Sequence, residues 1–390
     1  MSRWRYIGNL IVILLPVLLF GQIPSNPPAA ATGQASNSQW FFRAPYAQPA
    51  VPADALELVT GSAESVQSVS QRASVVKMLN DAYAMSNGQA YPYDRRTSFV
   101  AFGSSSSDGS WQLEDSSPKA GLYRWTAQGP SYSVINLYKD QELYSNQAAG
   151  LMPMRLAQVR AAMFFMRPVA GPRATLRVAP GSLHGASLQC VLLTHNDVAK
   201  GVTGGRRWEE AEYCLDTKSG ALITYSPAPG IYTQYDYSQA IHFHDRLIYN
   251  AFTISQAGRT IIEAKTISVE DPAKDLSSFE PTGLNELGVG SLLTAPWRYR
   301  SMVPVQNATP GTSDVVVVHG MQSAAGPMSE TEVVASSSSA FHARALELAS
   351  KIHGAATVED GEPGATVQSH EVLLTIQFAS LGGRPFPGER

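Results

Sequence analysis

Short segments in which apolar and polar residues alternate dominate the chain between residues 99 and 269. These segments are rich in β-branched and aromatic residues, and turn sequences such as Ser107-Asp108-Gly109, Ser219-Gly220 and Pro229-Gly230 separate them. A period of two is typical of strands with one buried face, and short turns join consecutive strands as antiparallel neighbours. The pattern predicts one large antiparallel sheet over residues 61–285, curved because sheets twist. The predicted strands are Phe99–Phe102, Tyr123–Thr126, Tyr132–Tyr138, Glu142–Tyr144, Ser187–Leu193, Trp208–Asp216, Ala221–Tyr225, Tyr232–Tyr237, Leu247–Ile254 and Thr260–Val269.

Two segments have helical spacing instead. The first runs through Val75, Leu79 and Ala82 to a stop at Asn87-Gly88. The second begins at Pro153, a residue favoured in a first helical turn, and is ended by Pro168. Its apolar residues lie on one face, and they are Leu156, Val159, Met163 and Met166. The regular alternation of strands and helices that makes a doubly wound sheet is missing. The predicted fold class is therefore α+β: a large curved antiparallel β-sheet, half-barrel-like, with helical cover.

A smaller β-β-α-β unit is predicted over residues 311–380. Its elements are a valine-rich strand Val315–Gly320, a hairpin loop at Gly326-Pro327, a partner strand Thr331–Val334, a helix Ala340–Ile352 with N-cap candidates Ser336–Ser339, and a last strand in which Val372, Leu374, Ile376 and Phe378 alternate with more polar residues. Prolines and glycines before the unit predict a linker at residues 286–310.

The N-terminal segment has the layout of an export signal. Arg3 and Arg5 precede an apolar stretch from Leu10 to Phe20, and a tract rich in Pro, Ala, Ser and Gln follows. No apolar run reaches the roughly 18 residues of a clear membrane span. Residues 1–21 are predicted to be either a cleaved signal peptide or an uncleaved inner-membrane anchor. Residues 22–60 are predicted to be a flexible linker and 381–390 a tail.

The large sheet resembles the periplasmic lipoprotein carriers of the LolA/LolB-like group. The similarity rests on the order of elements and on short phrases: Ile135-Asn136-Leu137-Tyr138-Lys139-Asp140, Tyr213-Cys214-Leu215-Asp216 before Ser219-Gly220-Ala221-Leu222, and Tyr235-x-Tyr237. The resemblance implies that the concave face of the sheet binds acyl chains. It does not assign that role to individual residues.

Residues 311–380 resemble the C-terminal domain of TonB-family energy transducers. The resemblance is carried by the valine-rich strand, the hairpin with glycine, the serines before an Ala/Leu helix, Asp360-Gly361-Glu362-Pro363, and a last strand ending in Gln377-Phe378. No Tyr-Pro precedes the first strand, and Ile352 stands where the helix commonly ends in Trp. The resemblance implies docking of an envelope protein by addition of an edge strand.

The strand Ser369–Ala379 is the predicted partner-binding edge. In this interpretation Val372, Leu374, Ile376 and Phe378 anchor the strand to the helix while polar neighbours keep its free edge soluble. The alternative is an edge protected by the chain terminus or by the preceding domain.

Composition narrows the choice of partners. The chain has 390 residues, 29 Lys+Arg against 32 Asp+Glu, and a formal net charge of −3. Without a positive field, nucleic-acid binding is not expected.

Cys190 and Cys214 are the only cysteines, and in an oxidising compartment they are expected to form a disulfide, with two buried thiols as the alternative.

The candidate chemistry is sparse. His242 and His244 are two residues apart, so in a strand both rings project from one face, as metal ligation requires. No third ligand is identifiable, and the alternative is a polar sheet face. Arg206-Arg207 with Glu209-Glu210 and Glu212 fits a solvated strand with ion pairs better than acid/base machinery. No nucleophile elbow, zinc-protease motif, phosphate loop or dinucleotide fingerprint is present. No catalytic, metal or cofactor residues are assigned.

Three functions follow as hypotheses. The first is a non-catalytic envelope protein of the TonB-like type that docks an envelope partner through residues 311–380. The second is a periplasmic lipid or lipoprotein carrier that uses the large sheet. The third is a secreted hydrolase that uses His242 or His244, which requires a concave pocket and a third polar partner.

Overall fold

The computed structural model describes the ranges 48–52, 58–86, 91–103, 107–147, 152–164, 174–194, 205–289, 297–305, 313–322, 327–352 and 370–380. The predicted signal or anchor, most of the 22–60 linker and the 381–390 tail lie outside these residues. Within them, no helix combines the length and the apolar character needed to cross a membrane.

The described chain forms three α-helices and twenty strands. The helices are α1 (Val69–Ser86), α2 (Met154–Met163) and α3 (His342–Ser350). The strands are β1 (Glu64–Ser65), β2 (Tyr93–Ala101), β3 (Gly109–Lys119), β4 (Leu122–Gln128), β5 (Ser133–Lys139), β6 (Glu142–Ser145), β7 (Thr175–Leu183), β8 (Ala186–Thr194), β9 (Ala211–Asp216), β10 (Leu222–Ala228), β11 (Ile231–Asp236), β12 (Ile241–Phe243), β13 (Arg246–Ile248), β14 (Ala251–Gln256), β15 (Arg259–Glu270), β16 (Asn285–Val289), β17 (Trp297–Val305), β18 (Ser313–Gln322), β19 (Met328–Ser336) and β20 (His370–Ser380).

Fourteen strands form one large curved antiparallel sheet, which confirms the predicted fold class. Its order is β1-β7-β8-β9-β10-β11-β14-β15-β2-β3-β4-β5-β6-β16. Two series of consecutive hairpins meet where β15 pairs with β2. The predicted strand Leu247–Ile254 is in fact two strands, since β13 pairs with β12 in a separate hairpin and β14 belongs to the large sheet.

One face of this sheet carries the main hydrophobic core because buried and exposed residues alternate along its strands. In β3, Trp111 and Leu113 are buried while Gln112 and Glu114 point outward. Phe99 lies directly opposite Trp111 on β2, and their rings stack with centroids 5.5 Å apart. Such a pair contributes about 0.5–1.5 kcal/mol beyond its area burial.

The C-terminal residues form a four-stranded sheet, β17-β20-β18-β19, which we call the small sheet. The order β18, β19, α3, β20 follows the predicted β-β-α-β unit. The predicted edge strand is wrong: β20 pairs with β17 in parallel on one side and with β18 in antiparallel on the other. Both rows of backbone groups on β20 are therefore occupied. Val372, Leu374, Ile376 and Phe378 do pack toward α3 in a second core, as expected of anchoring residues.

The segment predicted as a linker at 286–310 contributes strands to both sheets. Most of β16 lies in it and pairs with β6 at the end of the large sheet. The whole of β17 lies in it and closes the small sheet. The end of the predicted 22–60 linker is also packed, because Val51 and Leu58 are buried against the large sheet.

Strand β18 is buried on both faces. Val316 and Val318 pack with α3 in the second core, whereas Val315 and Val317 belong to the main core of the large sheet. All four valines are fully buried. The small sheet therefore lies between α3 and the large sheet, and the two sheets share one core.

The predicted disulfide is present. Cys190 of β8 lies directly opposite Cys214 of β9, and the sulfurs are 2.04 Å apart. Both residues are fully buried. Gly181 of β7 leaves room for the bridge, since a Cβ there would lie 2.6 Å from the Cys190 sulfur.

Removing the disulfide should destabilise the protein without changing the fold. The bridge closes a loop with a sequence separation of 24, which corresponds to about 3.5 kcal/mol in the chain-entropy model. We expect the double substitution Cys190→Ala, Cys214→Ala to lower the free energy of unfolding, measured by urea denaturation, by about 3 kcal/mol. A double variant as stable as the oxidised wild type would contradict this.

Candidate functional site

The inner side of the large sheet is its most aromatic surface. We call it the covered face: the side whose residues form the main core beneath α2 and the small sheet. Its large rings belong to Phe99, Trp111, Trp125, Tyr213, Tyr225, Tyr235 and Phe252. Several are in contact, as with Tyr213 and Tyr225 at 5.0 Å between centroids. The surface is extended, apolar and rigidly packed.

Helix α2 lies against the covered face and is buried nearly all round. The hydroxyl of Tyr235 donates to the carbonyl of Ala162 at 2.7 Å, and the hydroxyl of Tyr249 donates to that of Met163 at 3.3 Å. These bonds satisfy carbonyls that the last helical turn leaves without partners. Burial raises the pKa of both phenols, that of Tyr249 to about 12. Both side chains therefore remain protonated donors at neutral pH.

The small sheet meets α2 through a buried polar network centred on Arg155. Its guanidinium donates to Gln158 at 2.9 Å and forms an ion pair with Glu332 of β19 at 3.1 Å. Gln158 donates in turn to Gln256 of β14 at 3.0 Å. The Arg155 side chain is 1% exposed and that of Glu332 is 24% exposed. One network thus links α2, the large sheet and the small sheet, and we call this contact region the junction.

The junction encloses little free space. A cavity of about 30 Å³ lies between the sheets, lined in part by Tyr225, Ile254 and Leu373. His319 and Glu371 also line it, with His319 Nε2 3.3 Å from a carboxylate oxygen of Glu371. The cavity has room for a water molecule and not for an acyl chain.

A second polar cluster lies at the carboxyl end of α2. Arg95 donates twice to the carboxylate of Asp115, at 2.8 and 2.9 Å, and the Tyr93 hydroxyl donates to it at 2.7 Å. Arg160 of α2 holds its guanidinium carbon 3.5 Å from the ring centroid of Trp125. Burial lowers the pKa of Arg160. The cluster places two guanidinium groups and one carboxylate on the covered side of the large sheet.

A wider depression of about 340 Å³ lies at β3, β4 and β5. Most of its lining is uncharged and polar, with residues such as Gln112, Thr126 and Gln128. Glu114 adds a carboxylate that is 3.6 Å from Arg96. Among the described residues, no lining group is a buried polar atom without a hydrogen-bond partner.

His242 and His244 do not lie together in one strand, which the metal hypothesis required. His242 lies in β12, but His244 has a φ of 53° and belongs to the turn that follows. Both side chains are exposed. His244 contacts Asp271, with 2.8 Å between Nε2 and the carboxylate, and its ring lies 4.5 Å from that of Tyr91. The backbone reversal separates the two rings, so the strand argument for a metal site fails.

The charged segment 206–212 is buried rather than solvated. Arg177 pairs with Glu210 at 2.8 Å, and Arg206 pairs with Glu212 at 3.1 Å. Arg206 also donates to Ser226 and to backbone carbonyls. The predicted ion pairs are present, but the prediction of a solvated strand was wrong because the segment leads into β9, between β8 and β10, where paired charges replace water.

This segment holds separate parts of the chain together. Trp208 donates its indole N–H to the carbonyl of Pro49 at 2.7 Å, and Glu209 accepts from Gln48 at 2.7 Å. Glu209 also lies 3.8 Å from Arg300 of β17. These contacts tie the segment to residues 48–49 and to β17.

One group of possible metal ligands occurs among the described residues, namely Cys190, Glu212 and Cys214. Its two sulfurs are bonded to each other. Neither sulfur is therefore a thiolate, which is the form that binds a metal.

Arg155, Gln158 and Arg160 are site residues that the sequence pattern does not indicate. The prediction for α2 used only its apolar positions, so the polar side chains on its other sides were not considered. Arginine and glutamine in a helix with one apolar face are expected on its solvent side, so their burial follows only from the packing around α2.

Comparison with known proteins gives similarity at the level of fold only. No protein-family model matches the chain, and no curated protein matches it either. A LolA superfamily protein from Nitrosomonas europaea is 10% identical, with a TM-score of 0.37 and alignment over 52% of this chain and 96% of that one.

Two further solved structures are similar to the same degree. A putative outer membrane lipoprotein-sorting protein domain from Vibrio parahaemolyticus is 7% identical, with a TM-score of 0.33, over 52% of this chain and 94% of that one. A DUF1329 family protein from Desulfovibrio piger is 5% identical, with a TM-score of 0.37, over 55% and 98%. Similarity at these identities and TM-scores assigns this chain neither a family nor a ligand. The TonB-like resemblance finds no counterpart among these structures.

A substitution at Gly230 should weaken the junction. Gly230 has a φ of +86°, and a Cβ there would lie 2.0 Å from the Val334 carbonyl oxygen of β19. Gly283 is a matched control, because its φ is +77° and nothing lies within 4 Å of its Cβ position. We expect Gly230→Ala to lower the free energy of unfolding by about 1–3 kcal/mol more than Gly283→Ala, as overpacking does. Equal losses in denaturation experiments would show that the close approach is unimportant.

The ion pair across the junction should matter more than the exposed ion pairs of α3. Glu332→Gln leaves the Arg155 guanidinium buried beside a neutral group, so we expect the unfolding free energy to fall by about 1–3 kcal/mol. Glu347→Gln is the control, since Glu347 pairs with Lys351 and Arg344 in solvent. A smaller change is expected there. The reverse order, read from urea denaturation of the two variants, would contradict the role of the junction.

Proposed function

We propose that the protein is a non-catalytic binding protein of the bacterial cell envelope that carries a lipid, or the acyl chains of a lipoprotein, on the covered face. The observation that carries this proposal is the covered face itself. It is a broad aromatic and aliphatic surface closed by a separate small sheet, and not by a barrel formed from its own strands.

Acyl chains suit this surface because most of the side chains that form it are aromatic or aliphatic. Each buried methylene group contributes about 0.8 kcal/mol to binding. Rings such as Tyr213, Tyr225 and Phe252 present flat faces for a flexible chain, while the phenol of Tyr235 is already used by α2.

An acyl chain has to take the place of part of the small sheet, since the cavity of about 30 Å³ is too small for it. Two features of the junction support such an exchange. His319 Nδ1 and Gln256 Nε2 are buried there without a hydrogen-bond partner among the described residues. Each such group costs about 1–3 kcal/mol, so the junction is less stable than an apolar contact of equal area.

Export and binding are supported by different residues. The Cys190–Cys214 disulfide is typical of an oxidising compartment such as the periplasm. We propose binding in place of catalysis because His242 and His244 are exposed on a hairpin and the buried His319 faces Glu371 inside the closed junction.

The full chain should bind a long-chain acyl probe, and weakening the junction should strengthen that binding. Apparent affinity is reduced by the fraction of molecules that are closed. We therefore expect Gly230→Ala and Glu332→Gln to bind a fluorescent fatty acid about five- to hundredfold more tightly than wild type. Fluorescence titration measures this, and native mass spectrometry of periplasmically purified protein should show a copurified lipid.

Gly283→Ala serves as the control, because its side chain would meet nothing and the junction stays intact. Its affinity for the probe should equal that of wild type. Failure of wild type and both junction variants to bind any acyl probe would overturn the carrier function.

A further inference from the structure

Two hydrogen-bond donors on the covered side of β4 have no acceptor among the described residues. Tyr123 and Trp125 are two residues apart, so their side chains share one face, and both contact the main core. Tyr123 Oη and Trp125 Nε1 are buried, and neither has a hydrogen-bond partner among the described residues. Buried polar atoms are nearly always paired in folded proteins, so two on one strand call for an explanation.

A guanidinium group lies beside both donors. Arg160 stacks on the Trp125 ring at 3.5 Å, and its guanidinium lies 5.9 Å from the ring of Phe164. Tyr123 packs edge-on against that same Phe164 ring at 6.1 Å. Burial raises the pKa of the Tyr123 phenol, and the nearby Asp115 raises it further. The phenol is therefore a neutral O–H donor at physiological pH.

All three groups can donate, and the nearest carboxylate is already used. Asp115 accepts two bonds from Arg95 and one from Tyr93. A ligand group that bonds to all three donors has to accept hydrogen bonds and carry negative charge. An anionic oxygen meets both requirements for a phenol O–H, an indole N–H and a guanidinium.

We propose that Tyr123, Trp125 and Arg160 bind an anionic oxygen group, a carboxylate or a phosphate, carried by the head group of the bound lipid. The inference rests on the proposed carrier function and names the class of lipid: anionic at one end. Tyr132 and Phe164 are half-buried beside this position, so it lies near the rim of the covered face. The acyl chain would run inward from there along the aromatic surface.

The test compares two ligands that share a chain and differ in charge. Oleate and oleyl alcohol are titrated at pH 8 against the full chain by displacement of a neutral fluorescent acyl probe. We expect oleate to bind about tenfold more tightly than oleyl alcohol, as a charge-assisted hydrogen bond predicts. Inorganic phosphate alone is a third arm, measured by calorimetry, which reports binding of a free anion.

Two variants probe the site and two control for it. Tyr123→Phe removes only the hydroxyl and should reduce the oleate preference by about three- to tenfold. Arg160→Met should abolish the preference, and if that variant fails to fold, Tyr123→Phe decides. Arg124→Met removes a charge from the opposite face of the same strand, and Tyr144→Phe removes a hydroxyl from the opposite face of the sheet. Both controls should keep the wild-type preference.

The outcomes separate this inference from the function on which it rests. Equal binding of oleate and oleyl alcohol by wild type would overturn the anion site and leave the carrier function standing. Absence of binding by both ligands would overturn the carrier function. Phosphate binding that depends on Tyr123, without oleate binding, would support the anion site, assign it to a free anion and reject the lipid as its source.

Discussion

The two-sided burial of β18 is the constraint on which the architecture depends. A strand at the surface of a sheet needs one apolar face, but this strand presents valine on both. Each fully buried valine contributes about 1.5–3 kcal/mol relative to exposure. Since α3 covers only one face, the other must find a second apolar surface, and the large sheet supplies it. The burial of β18 therefore requires the small sheet to pack against the covered face, where α2 also lies.

The same arrangement explains why polar residues collect at the junction. Two sheets and a helix of different curvature do not meet without gaps, and Arg155, Gln158 and Gln256 bridge the elements there. Buried charges need partners, so the network fixes the register of the contact. It also makes that contact costly to form compared with an apolar one. The covered face is apolar, but the contact that closes it contains buried polar groups that cost free energy. Such a contact opens more readily than a purely apolar contact of the same area.

Local patterns revealed most of the strands, and the errors arose both from interrupted patterns and from long-range pairing. Strand-like runs identified β8 and β9, and the cysteine pair followed from the expectation that these strands are neighbours. Strand β3 was missed because its buried series continues into Asp115, a charged residue that hides the period. Strand β7 was missed because Pro180 and Gly181 interrupt it, although the glycine is needed beside the disulfide.

The edge of the small sheet was equally beyond local reasoning. Alternation in β20 shows which side chains face α3, but says nothing about which strand lies beside it. Its parallel partner β17 comes from a segment whose prolines suggested a connection. The polar donors of the candidate site were hidden for a related reason. Tyr123 and Trp125 have the pattern of ordinary aromatic strand residues, and only the folded sheet shows that their polar atoms lack partners in the part of the chain that the structure describes.

The position of β20 determines when the small sheet can form during synthesis of the chain. The large sheet has all its strands once β16 has been made, yet β20, the last strand, must enter between β17 and β18. Roughly 90 residues separate these two moments, or about 5–20 s at ordinary rates of synthesis. For a chain that folds as it is made, the part of the covered face beneath the small sheet stays uncovered during that interval. A hydrophobic ligand can then occupy it without displacing anything, and so loading before completion is easier than loading afterwards.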